Sequence, residues 1–449
     1  MVAAGKGTRE LVVVPSVGAR SAGIRPGMAL SAAHALARGL SVFQRDEVSE
    51  AAALARLAAW AGRFTPVVSL APPREVVLEV AGSLRLFRGM ENLVGKVEEG
   101  IRDLGYTAQV ALAPTPLGAA LLARARPGAR VTGMERLTPE LFAVPLDALD
   151  FPPDTLEALR GLGVGCLGDC LKLPRPGLDR RFGGELPRYL DRALGRHPDP
   201  RNPFVLPPRF EGRLPLLTEV SAAEPLLFAV RRLLLELEGY LEARGGGAGE
   251  LRLTLSHREG RRTRIEVGLL SPSRDTGRLL GLLRERLCRT RIPEPVSAVG
   301  LSVETVLPLA PANRELWKEP ARQVSEAWPE LLERLRARLG DAAVQGLRPA
   351  AEHRPERAFV LMEPERGDEP ILPSLRFGRR PLWLLPRPAP LERKELTLLT
   401  GPERIEAGWW DGEDVRRDYF VAEDSRGARL WIFRERGGKR GWYLHGIFG

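Results

Sequence analysis

Between residues 11 and 130, short β-type apolar runs alternate with stretches of helical periodicity. Leu11–Val14 (LVVV) is too short and too β-branched for a helix and predicts a strand. Ser31–Leu40 and Ala51–Phe64 space their apolar residues at helical intervals and predict helices. Glu75–Val80 (EVVLEV), with glycine soon after, predicts a strand, Leu93–Leu104 an amphipathic helix and Ala108–Ala113 another strand. Such alternation predicts an α+β sheet domain.

The pattern changes between 140 and 200, where short helices (Pro153–Arg160, Cys166–Lys172, Glu185–Leu194) are separated by Gly and Pro and predict a small all-helical unit. Residues 201–215, rich in Pro and Arg, read as a linker. A long amphipathic helix, Ala222–Ala243, then runs into Gly245-Gly246-Gly247, read as a turn. Strand Leu251–Ser256, an Arg-rich turn, strand Thr263–Leu269, helix Thr276–Arg289 and strand Ala298–Leu307 complete an α/β module. Beyond 311 come a helix (Ser325–Leu339), a Pro/Arg-rich stretch and a terminal β-like segment, Ile405–Phe448. No fixed-period repeat is visible.

Composition narrows the function classes. With 44% hydrophobic and 28% charged residues among 449, wholesale disorder is excluded. A net charge of +10 favours a polyanionic partner, nucleic acid before membrane. Cys166, Cys170 and Cys288 are too few for a disulfide framework and suggest a reducing compartment. The five histidines lie far apart, which argues against a local zinc motif. No run approaches a membrane span, and Leu11–Pro15 is too short for a signal-peptide core, so the expected location is the cytoplasm, nucleoid included. There is no G-x-x-x-x-G-K-[ST], H-E-x-x-H or G-x-S-x-G motif, and no cofactor or bound metal is expected.

Two stretches suit phosphate binding. Leu159–Leu171 contains apolar-Gly-apolar-Gly between two short helices; Gly163 and Gly165 could bring bare N–H groups against a phosphate, as in a helix-hairpin-helix. A glycine-rich connection with no ligand is the alternative. Ser256–Arg264 sets Arg258, Arg261, Arg262 and Arg264 against one glutamate at a hairpin tip, a phosphate grip or a solvated turn.

Residues 69–87 (SLAPPREVVLEVAGSLRLF) resemble the palm strand of Y-family DNA polymerases, and most of all the ImuB family of polymerase-like proteins from bacterial mutagenesis cassettes. Ala19–Met28 (ARSAGIRPGM), Arg63–Pro66, Ala113–Ala120, Arg181-Phe182-Gly183, Leu190–Gly195, Gly401–Ile405, Arg417–Tyr419 and Leu430–Arg434 also match that family. The resemblance implies an α+β multidomain chain: palm/fingers (1–135), a helix-hairpin-helix thumb (136–203), an α/β little finger (204–310), a linker (311–394) and a C-terminal β-like docking segment (395–449). Residues 1–10 do not resemble the first palm strand, so the palm is expected to be shortened at its N-terminus.

Where a working polymerase has Asp-Glu after Ser-Leu, this chain has Ala71-Pro72, which cannot ligate Mg²⁺; Glu75 and Glu79 remain nearby. The expectation is a non-catalytic homologue that binds primed or single-stranded DNA and scaffolds error-prone translesion synthesis. An active lesion-bypass polymerase and an unrelated basic DNA-binding protein are the alternatives. The resemblance implies further partners. Asn313, Leu316 and Trp317 are candidate sliding-clamp contacts, and the tail (Trp409, Trp410, Trp431, Trp442 and His445) is a candidate dock for an ImuA-like RecA-related protein and an ImuC-like DnaE-type polymerase.

Overall fold

The computed structural model describes residues 1–5, 10–37, 39–309, 320–364, 380–392, 396–437 and 441–448, without the side chains of 320–327. The chain forms two compact units, residues 1–316 and 317–449. No helix among the described residues is long and apolar enough to cross a membrane.

The first unit begins with β1 (Val2–Ala4), β2 (Leu11–Val14), α1 (Val17–Ser21), α2 (Leu30–Leu36) and β3 (Phe43–Gln44). The strands form one sheet in the order β2-β1-β3, over a core of Met1, Val12, Ala19, Ile24 and Ala33. Gly23 and Gly27 sit at φ +87° and +80°, conformations that favour glycine, which accounts for their spacing in the turn after α1. Then come α3 (Glu47–Ala61), the hairpin β4 (Val68–Ala71) and β5 (Glu75–Leu78), and α4 (Met90–Asp103). Asp46 starts α3 by accepting the backbone N–H groups of Val48 and Ser49 at 3.1 and 3.0 Å.

The expected strand Ala108–Ala113 does not form. That segment makes an isolated parallel bridge, Leu112 to Arg130, with Val110 and Leu112 bonded to residues 128–131, and no longer ladder. The helical region has six helices: α5 (Pro116–Ala125), α6 (Met134–Phe142), α7 (Pro153–Gly161), α8 (Leu167–Lys172), α9 (Arg175–Phe182) and α10 (Glu185–Ala193). Thr115 ties its two ends together, capping α5 through the Gly118 N–H and donating its own hydroxyl to the Ala193 carbonyl at 2.8 Å.

The α/β module opens with a strand where a linker was expected: β6 (Phe210–Val220). Its inward residues alternate, but Pro215 disguises the pattern; β6 is an edge strand, where a missing N–H is tolerated. Next come α11 (Ala223–Arg244), β7 (Gly246–His257), β8 (Arg262–Ser273), α12 (Thr276–Arg289), β9 (Val296–Val303) and β10 (Val306–Pro308). Of the three glycines expected to form a turn, only Gly245 does, at φ +69°; Gly246 and Gly247 begin β7, buried where a Cβ would strike β10 and its flank. The strands run β8-β7-β9-β6, with β10 beside the start of β7. Leu251, Leu253 and Leu255 of β7, with Ile265, Val267, Val299 and Leu301, are buried on the face that α11 and α12 cover.

α11 also packs on α3. Trp60 of α3 sits between Gly100 of α4 and Gly239 of α11, and a Cβ at either glycine would collide with the indole. Arg56 Nε pairs with Glu236 Oε2 at 2.9 Å, and Glu236 is only 2% exposed. Arg63 pairs with Glu242 at 2.6 Å, and Arg232 lies 4.6 Å over the Tyr106 ring.

The second unit contains α13 (Pro320–Leu339), the hairpin β11 (Gly346–Pro349) and β12 (Phe359–Met362), and the strands β13 (Trp383–Leu391), β14 (Thr397–Ala407), β15 (Val415–Glu423), β16 (Arg429–Glu435) and β17 (Trp442–Ile447). The last five form an antiparallel sheet in the order β13-β17-β16-β15-β14. One face holds a core of Ile405, Ala407, Val415, Tyr419, Trp431 and Phe433.

Candidate nucleic-acid interface

The uncovered face of the β8-β7-β9-β6 sheet is built from the residues that alternate with its buried ones. One cross-strand row runs Arg264, Thr254, Gly300, Arg213. The neighbouring row runs Arg262, Ser256, Ala298, Pro215. The middle of this half is floored by small residues, and its borders carry three exposed guanidiniums. Among the described residues Arg213, Arg262 and Arg264 form no ion pair. The opposite end is acid-balanced: Arg252 pairs with Glu266 at 2.9 Å and Glu304 at 3.4 Å, and Arg209 with Glu211 at 2.8 Å. The face is therefore polar in charge, with its uncompensated cations gathered at one end. A flat floor edged by arginines admits a phosphate backbone without base-specific contacts.

Of the four arginines expected to act together, two belong to this face and two do not. Arg258 pairs with Glu219 at 2.6 Å and Arg261 with Glu294 at 2.5 Å, so both are held at the tip by carboxylates. Beneath them His257 is buried, its Nδ1 2.9 Å from the Glu294 carbonyl and its Nε2 2.8 Å from Thr263 Oγ1, which fixes the turn. Arg213 was missed in the sequence because it lies in the stretch read as linker. The Phe210, Gly212, Leu214 alternation was the available signal.

The helix hairpin places Gly163 at φ +78°, as its turn requires, but its amides are not all bare. Asp169 Oδ2 accepts the N–H of Gly165 at 3.1 Å and of Cys166 at 3.3 Å, and Lys172 pairs with Oδ1 at 3.0 Å. Lys172 and the Cys166 and Gly165 donors hold the Asp169 carboxyl well below the usual range. Two of the amides the phosphate reading needed are thus already bonded within the hairpin. Cys170 is fully buried, and burial pushes its thiol up to about 11, so it is an inert packing residue.

The hairpin that resembles the palm strand pairs Ala71 with Glu75. Ala71 and Pro72 offer no ligating atom. Glu75 forms an ion pair with Arg124 of α5, and the exposed Glu79 accepts the Ala81 N–H at 2.8 Å. No group of three His, Cys, Asp or Glu among the described residues is arranged to hold a metal ion. The donor set does not fit a two-metal polymerase centre.

The tail residues fall into three sets. His445 and Trp431 are core: His445 is 0% exposed, its Nδ1 lies 2.7 Å from the Tyr419 hydroxyl, and Trp431 stacks on Tyr419 at 4.1 Å. Burial pushes the His445 imidazole down and the Tyr419 phenol up. Trp442 is half-buried beside Phe420, with centroids 5.4 Å apart. Trp409 and Trp410 are the exposed pair, at 76% and 56%, edge to face on the loop between β14 and β15. Arg354 braces that loop, binding Asp411 at 2.6 and 3.1 Å and the Glu413 carbonyl at 3.2 Å. Asn313, Leu316 and Trp317 lie outside the described residues.

The profile of the family described as IMS, impB/mucB/samB family, matches residues 1–124. Among solved structures, the chain is similar to DinB from Sulfolobus solfataricus, with 16% identity, a TM-score of 0.38, and coverage of 69% of this chain and 92% of that one. An insertion ternary complex of Dbh DNA polymerase gives 15% identity, the same TM-score, and 68% and 92% coverage. Protein ImuB of Caulobacter vibrioides, from strain NA1000 / CB15N and from strain ATCC 19089 / CIP 103742 / CB 15, is 30% identical over 460 residues in each case, covering 95% of this chain and 100% of the relative. With a whole relative matched from end to end at that identity, the chain belongs to the ImuB family.

Proposed function

We propose that this chain is a non-catalytic DNA-binding member of its family that scaffolds error-prone translesion synthesis. The observation that carries the reading is the β4–β5 hairpin. Ala71 and Pro72 stand where the sequence resemblance puts the metal-binding Asp-Glu of a working polymerase, and the neighbouring Glu75 is tied to Arg124. Two-metal phosphoryl transfer needs clustered carboxylates free to hold cations. A carboxylate neutralised by a guanidinium, which it shares with Asp150 at 3.8 Å, is not free to supply them. The DNA-binding half of the reading is supported by Arg213, Arg262 and Arg264 on the open sheet face. Sequence-neutral binding to primed or single-stranded DNA follows from arginines on a flat, small-residue floor.

The same reading extends to partners. The Leu316-Trp317 anchor pair would seat on the sliding clamp, and the braced Trp409-Trp410 pair offers two exposed aromatic anchors to an ImuA-like RecA-related protein or an ImuC-like DnaE-type polymerase. The chain would then work in the cytoplasm, at the nucleoid.

Primer extension and DNA binding by the purified chain test the reading together. No template-directed incorporation with Mg²⁺ or Mn²⁺ is expected. Changing Arg213, Arg262 and Arg264 to Gln should weaken binding and flatten the salt dependence by roughly 0.7 to 0.9 per lost phosphate contact. Incorporation by the wild-type chain would overturn the non-catalytic assignment, and an unchanged salt slope would remove the sheet face from the interface.

A further inference from the structure

The helical region contains a cleft that neither the sheet face nor the β4–β5 hairpin uses. It lies between the turn at 150–152, α7, the end of α9 and α10, and its volume is about 400 Å³. Sites for small ligands run from roughly 300 to 1,000 Å³. Its wall is aromatic: Phe151 from the turn, Phe182 from α9 and Tyr189 from α10. Phe151 and Tyr189 meet edge to face with centroids 4.9 Å apart, and the Tyr189 hydroxyl accepts the Asp150 backbone N–H at 3.4 Å, so two contacts hold the wall in place. α10 lends the cleft Glu185, Tyr189 and Arg192, spaced at i, i+4 and i+7 on one helix face. The two carboxylates of the lining already have cations: Asp150 faces Arg124 at 3.8 Å, and Glu185 pairs with Arg188 at 2.9 Å. Arg192 has no counterpart. Among the described residues it forms no ion pair, and its buried Nε has no hydrogen-bond partner. Arg181, likewise without an ion pair among the described residues, lies 5.8 Å over the Phe182 ring. A half-buried guanidinium with an unanswered N–H beside three rings has capacity for an anion that also carries a planar group.

We propose that this cleft binds a single nucleotide whose base carries an exocyclic amine (adenine, cytosine or guanine), with the base against the aromatic wall and the phosphate on Arg192. The lining decides between occupants. An acidic peptide would answer Arg192 but set its charge against Asp150 and Glu185, and a basic peptide would be set against Arg192. A nucleotide brings both kinds of group at once: phosphate oxygens that accept from the guanidinium, and base N–H groups that donate to a carboxylate. Asp150 is 72% exposed in its side chain and keeps oxygen lone pairs for such a donor. Thymine, which has no exocyclic amine, fits worst. A free mononucleotide and one unstacked nucleotide of a single strand offer the same chemistry. The proposal does not depend on the arginines of the sheet face.

The test uses the full chain. Wild-type protein is photo-crosslinked to 8-azido-dAMP and, separately, to an oligo(dT) containing one 8-azidoadenine nucleotide, and the adducts are mapped. Adducts on peptides bearing Phe151, Phe182 or Tyr189 are expected, displaced by dAMP at a concentration about fivefold lower than by dTMP. Labelling by the mononucleotide identifies a free nucleotide as the ligand, and labelling by the oligonucleotide alone identifies a nucleotide within a strand; either supports the proposal. Arg192→Met should weaken displacement by dAMP about tenfold, the loss of one hydrogen-bonded charge contact. Asp150→Ala should erase the difference between dAMP and dTMP. Arg213/Arg262/Arg264→Gln should leave the mapped adducts where they are, so that failure of the sheet face and failure of the cleft are told apart. The map on the wild-type chain stands even if a variant folds poorly. No labelling by either probe, adducts confined to other peptides, or an Arg192→Met chain labelled and displaced as wild type is would overturn the inference.

Discussion

Removing the Arg56 guanidinium is the sharpest probe of how the sheet face is held to the rest of its unit. Glu236 lies almost wholly inside the α3–α11 contact, with Oε2 on Arg56 at 2.9 Å and Oε1 without a hydrogen-bond partner. Burial pushes the Glu236 carboxyl up, and Arg56 is the chief influence pulling it back. Two unit charges about 4 Å apart at an effective dielectric near 20 attract by roughly 4 kcal/mol. Breaking a buried pair from one side costs about 3 to 5 kcal/mol, because the remaining charge is stranded. Arg56→Met should therefore destabilise the α3–α11 contact by about 3 kcal/mol. Arg56→Met with Glu236→Leu should recover most of that, since the buried carboxylate is removed with its partner, while Arg232, the second cation near it, keeps its place over the Tyr106 ring.

Hydrogen exchange of the α3 and α11 amides is the suitable assay, because two compact units need not unfold in one transition. The pH dependence has a definite sign. A carboxyl with a raised folded-state pKa binds its proton more tightly when folded, so its contribution to stability falls as pH rises from the unfolded value to the folded one. The Arg56→Met penalty should be largest at neutral pH and shrink on acidification. A single variant that exchanges within 1 kcal/mol of wild type, or a double variant no better than the single, would refute the argument.

Three further outcomes follow from the same kind of reasoning. Gly239→Ala drives a methyl into the Trp60 indole and should cost about 1 to 3 kcal/mol, read by exchange in α3, whereas alanine at the open Gly281 should not. Asp169→Asn should loosen the start of α8 while leaving DNA affinity equal or higher, because the Gly165 and Cys166 amides lose their carboxylate; a clear fall in affinity would show that the carboxylate has another role. The C-terminal sheet should lose stability as pH falls from about 6.5 towards 4, because His445 and Glu356 both have lowered folded-state values and the unfolded chain takes up the protons first; near-ultraviolet circular dichroism follows this, and a flat profile would contradict it.

Legibility in the sequence followed how local the determining physics was. α12 was readable to the residue because Asp275 caps it and its apolar spacing needs no context. β7 and β8 were readable because their buried residues alternate. β6 was not, since Pro215 is harmless only on an edge strand, and edge position is a property of the assembled sheet. The site divided in the same way. The arginines were visible, but their partners were not: Glu219 and Glu294 are 39 and 33 residues from the arginines they occupy. Asp169, only four residues from Gly165, was within reach of the sequence and was read as part of a helix rather than as a cap.

The hairpin and the sheet face also differ in what each tolerates. A metal centre depends on acids placed within a few ångströms of one another, and a hairpin with Ala71 and Pro72 in place of acids pairs β4 and β5 in register through Ala71 and Glu75 without supplying them. Phosphate binding by a sheet face depends on summed charge and on the alternation that turns Arg213, Arg262 and Arg264 outward. The same alternation turns Leu253, Leu255 and Ile265 inward. The fold therefore keeps the outward positions available for cations whatever stands at 71 and 72. The Arg124–Glu75 pair fits that separation: an acid that would otherwise be left beside Ala71 and Pro72 is joined to α5, where it serves packing between the hairpin and the helical region.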